Sequence, residues 1–327
     1  MKKKIAVMLV GLMCVSATGC SLSGNKGVDL EAISAEDIFT NVSEDAVVDG
    51  ATAAEAFTNA LNDVESSDNI TINVSNKITM GAEGDDSYQD SVNKSVIKLA
   101  KEGDNKVGSV VIDNIYKYAG EAASGEEAGA PLEEKSKITG YYSGESLYFT
   151  TNDGDKVKED MAYEDFLSVV NTYTISIYND CISKAACVEG KNDKTYYISY
   201  DPAKFETTMN TNMEASGQTM ADGESMNVKY ANIIAKVDNE NKLLSYGFLI
   251  NAEYVNDDSN IPYNYSITAE FSNIGNTKVD VVTDTDSYMT AEEYTKKMQE
   301  EAAYAADASI EGESAVESES GAEESTN

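Results

Sequence analysis

The 327-residue chain carries 58 acidic residues against 24 basic ones, a formal charge of −34, and contains neither His nor Trp. Every basic residue is Lys. That balance argues against nucleic-acid binding, which needs a basic footprint. It also argues against docking on an anionic bilayer through a polybasic patch. Without His, Ser-His and Cys-His nucleophile pairs and His-containing zinc sites are excluded. Without Arg, no side chain can clamp a carboxylate or phosphate in bidentate fashion.

The chain opens MKKKIAVMLVGLMCVSATGC. Lys2, Lys3 and Lys4 form a charged start, Ile5 to Val15 an apolar stretch, and small residues lead into Cys20. This is the pattern of a secretory leader, too short for a permanent span. Its end, Ala17-Thr18-Gly19-Cys20, resembles the lipobox of bacterial lipoproteins, with Ala where that motif usually has Leu. The resemblance implies that Cys20 is diacylated, becomes the first mature residue and holds the chain on the outer side of the cell membrane. Each buried lipid methylene contributes about 0.8 kcal/mol, so two acyl chains anchor stably. The alternative is an ordinary secreted protein cleaved after Ala17 or Gly19. Loss of the three leader lysines takes the charge from −34 to about −37.

Residues 20–48 read as the lipidated cysteine and a flexible polar tether. A body at 49–298 follows. Thr52-x-x-Glu55 is a capping-box pattern, and Ala53, Phe57, Ala60, Leu61 and Val64 repeat at helical spacing. Ile70, Ile72, Val74, Ile78 and Met80 alternate with polar residues, as in a strand covered on one face. Segments 91–101 and 107–118 are further strands. Residues 119–136 form a polar acidic excursion expected as a mobile loop.

Tyr141-Tyr142 and Leu147-Tyr148-Phe149 flank the hairpin turn Ser143–Ser146, and Asn152-Asp153-Gly154 makes the next turn. Tyr163, Phe166, Leu167 and Val170 mark a second helix. Asp201-Pro202 starts a third, with stripe Phe205, Met209 and Met213. Residues 227–238, 242–254 and 263–271 alternate most strictly, with Tyr246, Phe248, Tyr263 and Tyr265 on the apolar face. These elements predict an α+β fold: an antiparallel sheet with one face covered by helices. Thr290-x-x-Glu293 caps a last helix. From Glu300 on, nine acidic residues and no basic one make a tail, 299–327, expected to be disordered.

Gly140-Tyr141-Tyr142…Gly144…Leu147-Tyr148-Phe149, then Lys156–Met161 opening a helix and a strand ending Phe271-Ser272-Asn273-Ile274-Gly275, form a familiar order. It resembles a group of lipoproteins from Gram-positive bacteria whose fold is similar to the LolA and LppX lipid-binding carriers. The resemblance implies a strongly curved antiparallel sheet, an unclosed half-barrel, with helices on its concave face. It carries over no catalytic or ligand residue.

Cys181 and Cys187 survive processing. Six residues apart on a straight strand, their Cα atoms lie about 20 Å apart, so a disulfide requires a bend within Ile182–Ala186. Two free buried thiols are the alternative. Carboxylate pairs such as Asp153/Asp155, Glu159-Asp160 and Asp284/Asp286 permit glycoside hydrolysis in principle, but 58 acidic residues produce such pairs by chance. Position twelve from Asp284 is Thr295, which breaks the calcium-loop spacing. No enzyme activity, cofactor or metal is expected. The expected function is non-enzymatic binding of a lipid or other apolar or amphipathic small molecule. Its cavity would lie between sheet and helices, lined by Phe57, Leu61, Phe166, Phe205, Met209, Tyr246, Phe248 and Tyr265. The competing expectation is a structural or interaction lipoprotein with a fully packed core, acting on a protein or envelope partner.

Overall fold

A computed structural model describes residues 27–28, 33–120, 129–215, 220, 224–256, 259–280 and 282–300. The leader, Cys20 and the tail beyond residue 300 lie outside them. Thirteen strands form one sheet: β1 (Val47–Val48), β2 (Ile70–Met80), β3 (Gln89–Glu102), β4 (Asn105–Gly120), β5 (Gly129–Ser143), β6 (Ser146–Thr150), β7 (Lys156–Asp160), β8 (Ile182–Glu189), β9 (Asp193–Tyr200), β10 (Ser225–Asp238), β11 (Leu243–Asn256), β12 (Ser259–Ser272) and β13 (Met289–Thr290). Their order is β1-β8-β9-β10-β11-β12-β2-β3-β4-β5-β6-β7-β13. Every pairing is antiparallel except β13 on β7. Both ends are free, so the sheet is unclosed, and each edge ends in a two-residue strand. Such short edges offer little template for pairing with another chain.

Helices α1 (Gly50–Glu65), α2 (Tyr163–Val170) and α3 (Pro202–Ala215) turn their apolar stripes to one face of the sheet. A fourth, α4, covers 291–300. Thirteen strands about 4.8 Å apart would span roughly 58 Å if flat, against roughly 30 Å for three helices side by side. Yet one apolar cluster joins Leu147 of β6, near one edge, to Ala185 of β8, near the other, through α1, α2 and α3. The sheet therefore curves around the helices, which sit on its concave face. The long alternating strands explain this: one wide apolar face must be enclosed, and right-handed twist accumulates strand by strand.

Local chemistry fixes the helix ends. Asp49, rather than Thr52, caps α1, its carboxylate accepting from the Thr52 N–H at 3.1 Å, so the helix begins earlier than the capping-box pattern implies. Asp201 caps α3 by accepting from the Lys204 N–H at 3.1 Å. Thr290 and Glu293 exchange backbone N–H bonds reciprocally ahead of α4. In the β5–β6 turn, Gly144 and Glu145 both take positive φ, 59° and 65°, as a two-residue hairpin of matching twist requires.

Three expectations are corrected. Residues 129–136 are not loop: β5 begins at Gly129 and pairs with β4 through Tyr118↔Leu132 and, past a register shift, to Gly120↔Gly129. Glu133, Lys135 and Lys137 alternate to the convex face, so a run that looks uniformly polar is a solvated strand edge-on to the core. Residues 121–128 lie outside the described residues. Second, the sheet is not covered on one face only. Val279 packs on Ala100, Val107 and Tyr141 from the convex side. Third, the tether ends well before residue 48. Ile33, Ile38 and Phe39 pack on Ala186, Ile234 and Leu249, again on the convex face. The Tyr230 hydroxyl donates to Ser34 O at 2.9 Å, and Asn232 Nδ2 donates to Ala35 O at 3.0 Å. This strap, residues 33–48, belongs to the folded body.

Candidate functional site

The eight side chains expected to line a cavity do come together on the concave side, but mostly as packing. Phe57, Leu61, Phe166, Phe205, Tyr246 and Phe248 are buried. Phe57 meets Tyr246 edge-on at 5.4 Å, Phe166 stacks on Tyr142 at 4.9 Å, and Phe205 stacks on Tyr200 at 5.0 Å. The Tyr246 hydroxyl donates to Tyr173 O, and burial raises its phenol well above the ordinary value. Only Met209 and Tyr265 remain half-buried.

Tyr265 marks where the packing stops. Burial alone pushes its phenol up to about 12, yet solvent still reaches the side chain. Tyr265 is therefore the member of this aromatic set at the border between the packed core and solvent. Its ring is 6.1 Å from Phe248, which in turn is 6.1 Å from Phe205 of α3. Thus α3 forms one wall. Beyond Tyr265 the concave floor runs across β2, β3, β4 and β5, and the register defines it row by row.

One row reads Ile267, Asn76, Asn93, Asn114, Ser136. The next, toward the open end, reads Tyr265, Ile78, Ser91, Tyr116, Glu134, and the one after it Tyr263, Met80, Gln89, Tyr118, Leu132. Tyr116 and Tyr118 stack at 5.3 Å, making an aromatic platform along β4. Small Ser91 lies between Ile78 and Tyr116 in this row. Ile78, Ser91, Asn114, Tyr116, Tyr118 and Ser136 all keep partial exposure, and Leu132 is 49 % exposed. Charge is scarce here. In these rows Glu134 is the one acidic residue and there is no lysine; Glu134 accepts from the Tyr118 hydroxyl at 2.9 Å, which is the main cause of that phenol's raised pKa.

Sequence reasoning missed Tyr116, Tyr118, Asn93 and Asn114. The signal was present: Val110, Ile112, Asn114, Tyr116 and Tyr118 alternate on one face, with an amide where an apolar residue belongs. Cys181 and Cys187 are free thiols. The bend a disulfide needs is absent, because β8 runs extended from Ile182 to Glu189. Cys181 instead contacts Thr208 Oγ1 at 3.3 Å, and Cys187 lies opposite Tyr196. Several acidic residues of the pairs weighed above are bound to lysines: Asp155 takes Lys297 Nζ at 2.6 Å on both oxygens, Asp160 pairs with Lys158 and Asp284 with Lys156. Among the described residues, no cluster of three His, Cys, Asp or Glu is placed to hold a metal, and no helix is long and apolar enough to cross a membrane.

Fold and site together define an α+β protein with a curved, unclosed antiparallel sheet and a partly uncovered concave floor. No protein-family model and no curated protein matches the chain. Among solved structures it is similar to a DUF1329 family protein from Desulfovibrio piger, with 8 % identity over 72 % of this chain and 95 % of that one, at a TM-score of 0.18. A likeness at that score carries no argument, so the site rests on its own geometry.

Proposed function

We propose that this is a membrane-anchored extracellular lipoprotein, lipidated at Cys20, that binds an apolar or amphipathic small molecule on the concave floor without catalysing a reaction. The half-exposed floor at Tyr265 carries the reading: Tyr265, Ile78 and Tyr116 stay open to solvent beside the packed core. Sites of this kind are concave, mostly apolar and carry few polar groups. The packing of Phe57, Leu61, Phe166 and Tyr246 favours the second reading, a scaffold acting on a protein or envelope partner, for the helix-covered part of the sheet alone.

Native mass spectrometry of the Cys20→Ser chain, purified from cells without detergent, tests the proposal. A reproducible extra mass that extracts into organic solvent supports it. A clean apo mass, with no thermal shift across a panel of lipids and hydrophobic small molecules, overturns it in favour of the scaffold.

A further inference from the structure

The Asn row borders a row that holds Tyr265, Ile78 and Tyr116, with Ser91 and Glu134 as its polar members. Asn93 is only 5 % exposed. Its carbonyl oxygen accepts from Asn76 Nδ2 at 3.2 Å, while Asn114 Nδ2 donates to Ser136 Oγ at 2.6 Å. Asn93 Nδ2 and Asn114 Oδ1 have no protein partner among the described residues. These two residues are directly opposite each other on β3 and β4. They present one open donor beside one open acceptor, and the Asn76 bond fixes which way the Asn93 amide faces. Neither atom is sealed from solvent, so water completes both in the empty protein, and a ligand group that takes the water's place must both donate and accept.

Resting on the binding reading above, we infer that the ligand carries an uncharged group that both donates and accepts hydrogen bonds, such as a hydroxyl, and seats it on Asn93 and Asn114. The apolar remainder lies along Tyr116, Tyr118 and Ile78. An anionic head group is disfavoured: these rows contain no lysine to neutralise it, Glu134 repels it, and an unpaired charge at a desolvated site is expensive. A quaternary ammonium neither donates nor accepts and leaves both amide positions open. Sugars and polyols meet the requirement, and rings such as Tyr116 and Tyr118 suit the apolar faces of either a sugar or a chain.

Three amphiphiles with one chain and different heads separate these cases: dodecyl maltoside, dodecyl sulfate and dodecyltrimethylammonium. Each is titrated below its micelle threshold into the Cys20→Ser chain by calorimetry, with maltose alone as a fourth arm. Dodecyl maltoside is expected to bind about tenfold tighter than either charged form, the size of one net hydrogen bond. In Asn93→Leu/Asn114→Leu that preference falls below about threefold while binding of the chain persists. Asn114→Asp, nearly the same shape, is expected to shift preference toward the ammonium and serves if the double variant does not fold. Equal binding of the sulfate or the ammonium by the unsubstituted site overturns the head-group assignment and leaves the binding reading intact. So does a preference that survives in the double variant. Maltose binding as tightly as its dodecyl form keeps the hydroxyl assignment and overturns the apolar part of the reading. Binding of none of the four brings down both.

Discussion

Phe166 of α2 occupies the space that a side chain on Gly108 of β4 would need: a Cβ there would lie 2.7 Å from the ring's Cζ. The helix can therefore settle directly on the strand backbone, with the Phe166 ring stacked on Tyr142. Gly108→Ala is expected to destabilise the protein by about 1–3 kcal/mol through overpacking. Phe166→Ala removes the ring and is expected to cost about 3–5 kcal/mol by leaving a cavity. Urea denaturation measures both. If Gly108→Ala proves neutral, α2 is not held against β4 in solution.

The strap makes an equally direct claim. Ile33 is 0 % exposed, and a Cβ on Gly247 would lie 3.1 Å from Ile33 Cδ1. Lys184 Nζ sits 4.2 Å over the Phe39 ring. Ile33→Ala is expected to cost about 2–4 kcal/mol, as core truncations do. A solvated tether would give a change within about 0.5 kcal/mol. The same denaturation experiment distinguishes the two.

Legibility in the sequence followed periodicity. Tyr246, Phe248 and Ile250 alternate without interruption, and β11 lies where that pattern puts it. α2 and α3 likewise start and stop where their stripes do. The strap was illegible because Ile33, Ile38 and Phe39 follow no period; only the shape of the convex face at Ile234, Leu249 and Gly247 recruits them. The first half of β5 was hidden by its own chemistry, since Glu133, Lys135 and Lys137 read as loop until β4 pairs beside them. The expected cavity residues were chosen for being large and apolar, which selects core. Polar Asn114, set among Val110, Ile112, Tyr116 and Tyr118 on one face of β4, carries more information, because placing an amide there has a cost that a Phe does not.

Alkaline pH tests the tyrosine-rich concave face. Burial pushes the phenols of Tyr163, Tyr173 and Tyr265 up to about 12, and drives those of Tyr200, Tyr246 and Tyr263 further in the same direction. In the unfolded chain a phenol ionises near its ordinary value of about 10. Between pH 10 and 12 the unfolded state thus releases protons that the folded state retains. Stability is unaffected below pH 10 and falls above it, by about 1.4 kcal/mol per pH unit for each such phenol. Chemical denaturation at pH 9, 10, 11 and 12 is expected to show that onset. Tyr265→Phe should make the fall shallower; an unchanged slope would mean that the Tyr265 hydroxyl is freely solvated.

The anchor is tested at Cys20. From Cys20 to Gly27, the first described residue, is seven steps, at most about 25 Å of extended chain. If the thiol is acylated, the body is held within that reach of the bilayer, with its strap side leading. The acidic polypeptide, about −37 once the three leader lysines are gone, is repelled by anionic lipid. Cys20→Ala is therefore expected to move the protein from the membrane fraction to the medium, detected by immunoblot of both fractions. Retention of the variant on membranes would assign the attachment to a surface of the folded body and remove the lipid from the account.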